Sequence, residues 1–545
     1  MQKQVKKFIA LSLTAVMAMG MLSACSSSSA PASTASDAVS SEAAAPSEAA
    51  ETSAAEAPAG DPIKISVAFS DNPTLPFKSD WATIVEVQKR TNTTLEIEAI
   101  PMNDFTTKTS LMLNTGENTP DVIFWMDTLG ENASLALNGA VVPISDYTDW
   151  TPNFNKFVED NNMQADLDMR RLADGKFYFL PTLYDKPFYD GGLLLREDFL
   201  EAKGLDAPKT FDDLYEILKA YKDENPDSYP LTILAAPRVL YRMTMPSFGI
   251  SLSKNASTGS HVLSWDYDKK EYFAGAISDQ YKEYISMLAK WYAEGLIDPE
   301  MAEPIDGDKW TTKMATGSAI ASYAYYDQIG GIVGNSTIEG IKFNMYPPLE
   351  GPAGAHHQPK SRTDKGILFP AKTAERADFE QVVRAIDEMF YSPENIKLWC
   401  LGVEGDSYTE ENGKYVFNPE VADSPDGLFK AMQLKYGTGA NGLQMVWINE
   451  MEMFKYDENY ARINKEVAAM DDAIQTVPPS PQFDDIVAEE AKTMQSPLGD
   501  AFDRWINDFL TGNKSVENNW DAYVEEMKTL RIEEFCDLYN SHKAE

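Results

Sequence analysis

IKISVAF (residues 63–69), DWATIVEVQKRTN (80–92), LEIEAI (95–100), the stretch from Asp104 to Leu113 and DVIFW (121–125) follow one another without a long gap. IKISVAF and LEIEAI alternate apolar and polar positions, as strands do. DVIFW is a short, continuously apolar run, and the two segments between the strands carry helical spacing. The order β-α-β-α-β predicts a parallel sheet with right-handed crossovers, whose ligands gather at the carboxyl ends of the strands.

Downstream, long helical stretches mix with isolated strands. FDDLYEILKAYKDEN follows Thr210, a good N-cap; DQYKEYISMLAKWYAEG ends on Gly295, a good C-cap; ADFEQVVRAIDEMFY stops before Ser392-Pro393. YTEENGKYVF alternates around Asn412-Gly413, the strongest short-range hairpin signal. At 545 residues, the chain is longer than one hydrophobic core usually organises, so an α/β protein of two or more lobes is expected.

Upstream the chain changes character. Lys3, Lys6 and Lys7 precede an apolar stretch from Phe8 to Leu22, then small residues, as in a secretory signal. Residues 26–60 are almost all Ser, Ala, Pro, Thr and Glu, with no aromatic residue, Lys or Arg. Such a segment cannot bury enough apolar surface to offset its ordering entropy and reads as a disordered tether with a reach of about 30 to 35 Å. No later run approaches the roughly 18 apolar residues of a spanning helix.

A net charge of −38 disfavours nucleic acid and anionic lipid as partners. There is no HExxH, CxxC, Walker loop or GxSxG, so metal hydrolysis and serine esterase chemistry have no support. GTGANG (437–442) satisfies GxGxxG, but KAMQLKY before it reads as a helix terminus, so the motif is expected to be a turn. His356 and His357, in a Gly- and Pro-rich loop, are expected at the surface. Cys400 and Cys536 read as buried thiols or, outside the cell, a disulfide.

Specific phrases then carry a resemblance: TGENTPDVIFWMDTLG (115–130), LADGKFYFLPTL (172–183), LLLREDFLEAKGLDAPKTFDDLYEIL (193–218), KWYAEGLIDPE (290–300), LGVEGDSYTEENGKYVF (401–417) and FDRWINDFLTGNKSVENNWDAYVEEMKTL (502–530). In this order they resemble extracellular solute-binding proteins of bacterial ABC sugar importers, in the large lipoprotein branch associated with oligosaccharide and aldouronate uptake. Leu22-Ser23-Ala24-Cys25 is similar to a lipobox, which implies cleavage before Cys25 and a lipid on that cysteine.

The resemblance implies a periplasmic-binding-protein-like fold, two α/β lobes joined by crossing strands, closing on a ligand without chemical change. The expected organisation is a signal peptide 1–24, a lipid-anchored linker 25–61, a first lobe begun by 62–183, a second lobe from 184–365, a return to the first over 366–445, and C-terminal helices 446–545 mainly in the second. Trp125, Asp127 and Thr128 at the end of the third strand are expected to meet a sugar, the indole on its C–H face and the carboxylate on its hydroxyls.

Tyr184 and Tyr189 near the first crossing, Tyr325 and Tyr326 in the second lobe, and Glu404 and Trp447 complete the expected cleft. Arg238 joins them as the residue that would read a uronate. No calcium is expected at 223–230, and no metal or cofactor elsewhere. The implied partners are a small carbohydrate, a membrane permease, and the membrane through the N-terminal lipid alone, with the protein a monomer. A glycoside hydrolase would need only two suitably separated carboxylates; a tethered hydrolase and an adhesion or signalling lipoprotein stand as alternatives.

Overall fold

Fourteen strands form two main sheets and two hairpins among the described residues. The computed structural model describes residues 60–543 apart from 73–74, 129–131, 188, 235–237, 253–261, 303–306, 358–360, 425–426, 441, 449–450, 452–457, 471–472, 480, 482 and 484. The signal segment, Cys25 and nearly all of the tether therefore lie outside the described residues.

The first sheet contains β1 (Ile63–Asp71), β2 (Thr93–Pro101), β3 (Val122–Met126), β4 (Phe179–Tyr184), β11 (Thr363–Leu368) and β14 (Val446–Trp447), in the order β14-β4-β11-β3-β1-β2. β1 pairs in parallel with β2 and β3, as the opening pattern predicts, and β14 runs parallel to β4. β11 is antiparallel to both its neighbours. The carboxyl ends of β1, β2, β3, β4 and β14 thus share one edge with the start of β11. The second sheet contains β5 (Gly191–Arg196), β6 (Leu231–Ile233), β9 (Ala321–Tyr325) and β10 (Phe343–Tyr346), in the order β10-β5-β9-β6. β5 runs against β9 and β10, and β6 runs with β9, so three carboxyl ends share an edge with the start of β5.

Each sheet is packed on both faces. Leu193 and Leu195 of β5 enter a core built with the helices Phe211–Glu224 and Asp279–Ala293 and the C-terminal helices Asp485–Leu510, Val516–Thr529 and Ile532–Ser541. Leu194, between them, points to the opposite core with Trp310, Tyr460 and Ile463. This is the period-two alternation of a strand covered on both sides. In the first sheet, Val122 and Phe124 face one core and Ile123 the other. Full burial of each such side chain contributes about 1.5–3 kcal/mol relative to exposure.

The chain leaves the end of β4 and enters the start of β5 through residues 185–190, and returns from the end of β10 to the start of β11 through 347–362. A third passage leads from β14 to the helix Glu458–Ala468, which packs with the second sheet. The first two passages connect the two carboxyl edges. Arg362 holds these two together: it lies on the returning passage, and its Nη2 donates to the Asp185 carbonyl at 2.8 Å and to the Asn161 carbonyl at 2.9 Å.

The hairpin β12 (Tyr408–Glu411) and β13 (Lys414–Phe417) turns at Asn412 and Gly413, both at positive φ (54° and 74°), which is the type I′ geometry that dipeptide favours. The remaining hairpin is β7 (Ser264–Asp266) with β8 (Glu271–Phe273). GTGANG follows the helix Leu428–Tyr436, with Gly437 as its left-handed C-cap. Cys400 and Cys536 are free thiols. One expectation fails: His357 is not at the surface but 1% exposed, its amide bonded to the Ala473 carbonyl and its ring edge-on to Tyr189 at 4.9 Å. The loop is drawn inward because a distant segment, Ala473, supplies a backbone partner that local sequence does not reveal.

Candidate functional site at the carboxyl edges

Trp125 departs from strand geometry. Its φ is 61°, and the β3–β11 register passes from Phe124↔Ile367 to Met126↔Gly366, leaving Trp125 as the extra residue of a bulge. A bulky residue in the left-handed region costs about 1–2 kcal/mol, and bulges of this kind re-aim a side chain next to a site. The bulge also moves Met126 to the Ile123 core and leaves Trp125 half-buried outside both cores. Gly442 explains the glycine motif: a Cβ there would lie 3.2 Å from the Cβ atoms of Phe124 and Trp125. The GTGANG loop is a packing turn against the bulge.

Asp127 and Thr128 continue beyond the strand. Thr128 is 0% exposed, and its Oγ1 has no hydrogen-bond partner among the described residues. Arg170 reaches the same edge, with Nε donating to Thr363 Oγ1 at 2.7 Å and Nη2 to Ser361 Oγ at 3.1 Å and to the Thr363 carbonyl. Burial works against the Arg170 charge, while Asp364, Asp127 and Asp166 favour it. Burial lifts the Asp364 carboxyl above the usual carboxylate range; Arg170 and Lys365 oppose the rise and Asp127 adds to it. Asp127, Asp364 and Arg170 therefore form one charge cluster.

Beside it, the parallel pairing of β14 with β4 sets Trp447 opposite Tyr184. Their rings stack at 6.0 Å and 16°, both half-buried. Two flat faces and a strained indole at one sheet edge suit the apolar face of a pyranose, and the charge cluster supplies acceptors for hydroxyls.

On the second sheet Tyr325 ends β9, opposite Gly191, half-buried, with its hydroxyl accepting from Arg242 Nη2. Asp327 follows it. Burial raises its carboxyl above the ordinary value; Gln328 opposes, the Asp190 charge adds to the rise and Lys430 opposes. Lys430 belongs to the helix Leu428–Tyr436 of the first core, so the two carboxyl edges interact electrostatically across the passages.

Other expected cleft residues lie elsewhere. Tyr189 is 1% exposed and donates its hydroxyl to the Tyr346 carbonyl at 2.8 Å, over Gly192, where a Cβ would sit 1.8 Å from that oxygen. Its ring is fixed in the core, so this conformation does not offer it to a ligand. Tyr326 is 8% exposed and packs on Tyr460 at 4.9 Å, one residue out of phase with the half-buried Tyr325. Glu404 bridges to Tyr408 at the β12–β13 hairpin, 60% exposed and 3.9 Å from Lys397. Arg238 begins the helix Arg238–Thr244, and its side chain lies outside the described residues, as does Cys25.

Arg170, Asp364, Asp190, Asp327 and Arg242 were not legible as site residues. Arg170 and Thr363 stand 193 positions apart, and nothing local marks either. Among the described residues no group of three or more His, Cys, Asp or Glu is placed to hold a metal ion, and no helix is long and apolar enough to cross a membrane.

Comparison with known proteins places these features in context. The chain is 25% identical over 280 residues to a fructooligosaccharide ABC transporter substrate-binding protein of Streptococcus pneumoniae, FusA, the match covering 47% of each chain. It is 31% identical over 145 residues to a polygalacturonan/rhamnogalacturonan-binding protein of Bacillus subtilis, YtcQ, covering 26% of this chain and 27% of that one. The matches thus span less than half the length of either relative. Among solved structures, the alginate-binding protein AlgQ2 superposes with a TM-score of 0.71 at 17% identity, over 89% of this chain and 98% of that one, which shows a shared two-lobed fold. The model of the bacterial extracellular solute-binding proteins matches residues 82–400, and the chain belongs to that family.

Proposed function

We propose that the protein is the substrate-binding component of an ABC importer and captures an oligosaccharide between its two carboxyl edges, returning it chemically unchanged to a permease. The observation that carries this reading is the strained Trp125 on the same carboxyl edge as the Tyr184–Trp447 stack, with Tyr325 on the carboxyl edge of the second sheet and chain passages joining the two. The rings sandwich the sugar and the carboxylates accept from its hydroxyls. Because some of these contacts exist only when the lobes meet, binding energy shifts the open–closed balance toward the closed form. The family and its named sugar-binding relatives support the ligand class.

A thermal-shift screen of neutral oligosaccharides, uronates, peptides and lipids tests this. A ligand at a hundred times its dissociation constant stabilises the fold by about 2.7 kcal/mol. Oligosaccharides are expected to raise the melting temperature, and mass spectrometry to recover them intact. Stabilisation by peptides or lipids alone, or recovery of a cleaved sugar, would sink the reading.

The lipobox-like Leu22-Ser23-Ala24-Cys25 supports attachment to the cell membrane through an acylated Cys25, with the body acting as a monomer. A Cys25→Ala chain should appear in the medium or remain unprocessed. Membrane retention with normal cleavage would overturn the anchor.

A further inference from the structure

The core behind the second sheet is rich in tyrosine, and several of its hydroxyls find a backbone carbonyl. Tyr523 donates to Ala276 at 2.8 Å, Tyr272 to Pro479 at 2.6 Å and Tyr221 to Gly317 at 2.6 Å. Three others do not. Tyr241, Tyr281 and Tyr323 are 7%, 1% and 3% exposed, and their hydroxyls are buried without a hydrogen-bond partner among the described residues. Native proteins rarely leave a buried hydroxyl unbonded, because each one so left costs about 1–3 kcal/mol.

The three hydroxyls come from three elements that meet in one core. Tyr241 lies on the helix Arg238–Thr244, Tyr281 on the helix Asp279–Ala293, and Tyr323 on β9, between Leu193 of β5 and Ile233 of β6. Tyr284 stands among them: its ring is edge-on to Tyr241 at 6.2 Å, it lies three residues along the helix from Tyr281, and it acts electrostatically on all three. Its hydroxyl meets Thr244 Oγ1 at 2.8 Å. Thr244 spends its own proton on the Leu240 carbonyl at 2.7 Å, so Tyr284 is the donor of that pair and its oxygen can still accept. Three free donors and one acceptor thus share a single buried region.

The chemistry of the region selects its occupant. Burial keeps the three phenols protonated far above neutral pH, so they offer a cation no anionic oxygen. Asp503, the acid whose charge bears on Tyr241 and Tyr281, opposes an anion. Water both donates and accepts, and a buried water bonds about three groups. We infer that Tyr241, Tyr281 and Tyr323 enclose an internal hydration site, whose ordered water ties their hydroxyls together over the Tyr284–Thr244 pair. Tyr323 lies two residues before Tyr325 on β9, and Tyr241 precedes Arg242, which donates to the Tyr325 hydroxyl. The water therefore fastens the helix Arg238–Thr244 to the sheet just inward of the edge where Tyr325 stands.

Thermal unfolding of the mature chain, its Tyr281→Phe and Tyr323→Phe variants and the double variant tests this, because the sign of the effect depends on hydration. A dry hydroxyl carries only its desolvation cost, so phenylalanine would raise the melting temperature or leave it unchanged. A hydrated one loses a bond: each single variant should melt about 1–3 °C lower, and the double should lose less than the sum because both hydroxyls share the water. Either single variant melting at or above the parent, or a fully additive double, overturns the inference. A crystal structure of the parent gives the direct readout. Water within about 3.2 Å of at least two of the three hydroxyls is expected, and fewer than two hydrated hydroxyls overturns the site.

Discussion

Trp125 holds a backbone conformation that costs free energy and gains no core burial in return, which is the usual signature of a position kept for binding. Replacing it separates the two contributions. Trp125→Gly relieves the positive φ and loses the ring, so its stability should stay within about 1 kcal/mol of the parent. Trp125→Ala loses the ring but keeps the strain and should be the less stable of the two by urea unfolding. Both should lose at least tenfold in sugar affinity. Equal stability of the two variants would mean that the bulge relaxes when the indole is removed. Tyr189 makes the opposite case: a tyrosine near a crossing, yet fixed by Tyr346 and Gly192 in the core.

At the scale of elements, the register of β3 against β1 is set by one carboxylate. Asp121 accepts from the Ser66 amide at 2.8 Å, from Ser66 Oγ at 2.7 Å and from Arg376 Nη1 at 2.8 Å. Burial raises its pKa, but these bonds outweigh burial and hold the carboxyl below its ordinary 3.8. A depressed folded value means that the stabilisation is present above about pH 4 and is lost as pH falls through the folded value. Asp121→Asn should therefore cost about 2 kcal/mol at pH 7, and the difference in urea midpoint should shrink as the pH drops below 3.8. A penalty that persisted at pH 2 would show that shape, not charge, is what Asn lacks.

The helix Phe211–Glu224 begins with a full capping box, in which Thr210 Oγ1 accepts from the Asp213 amide at 3.0 Å and Asp213 accepts from the Thr210 amide at 2.9 Å. Thr210→Ala should cost about 1 kcal/mol in thermal unfolding, because the Asp213 amide loses its side-chain acceptor.

For the whole molecule, the two carboxyl edges are joined by Arg362 across two passages and meet electrostatically through Lys430 and Asp327. Lys430→Glu would set a third acid against Asp190 and Asp327. The variant should fold normally, show a larger radius of gyration in small-angle scattering with saturating ligand, and bind sugar about three- to tenfold more weakly. Unchanged scattering and affinity would show that the edges do not approach further on binding.

Periodicity, caps and the Asn412-Gly413 turn were enough to specify the opening β-α-β-α-β unit, the long helices and the β12–β13 hairpin, because those features depend on residues near one another in sequence. The family phrases pointed to a two-lobed protein, and Trp125, Asp127, Tyr184, Trp447 and Tyr325, expected near a ligand, lie at or just beyond strand ends on the carboxyl edges. Their arrangement could not be read from the sequence. The Trp125 bulge depends on β11, the Tyr184–Trp447 stack on a two-residue strand far downstream, and the inward turn of His357 on Ala473. The charge cluster around Arg170, with Asp127, Asp166 and Asp364 acting on its guanidinium, likewise exists only after distant segments have been brought together. Local sequence sets backbone preference and burial pattern, whereas pairing across long loops decides which charges and rings share an edge, and at this site that sharing is the chemistry.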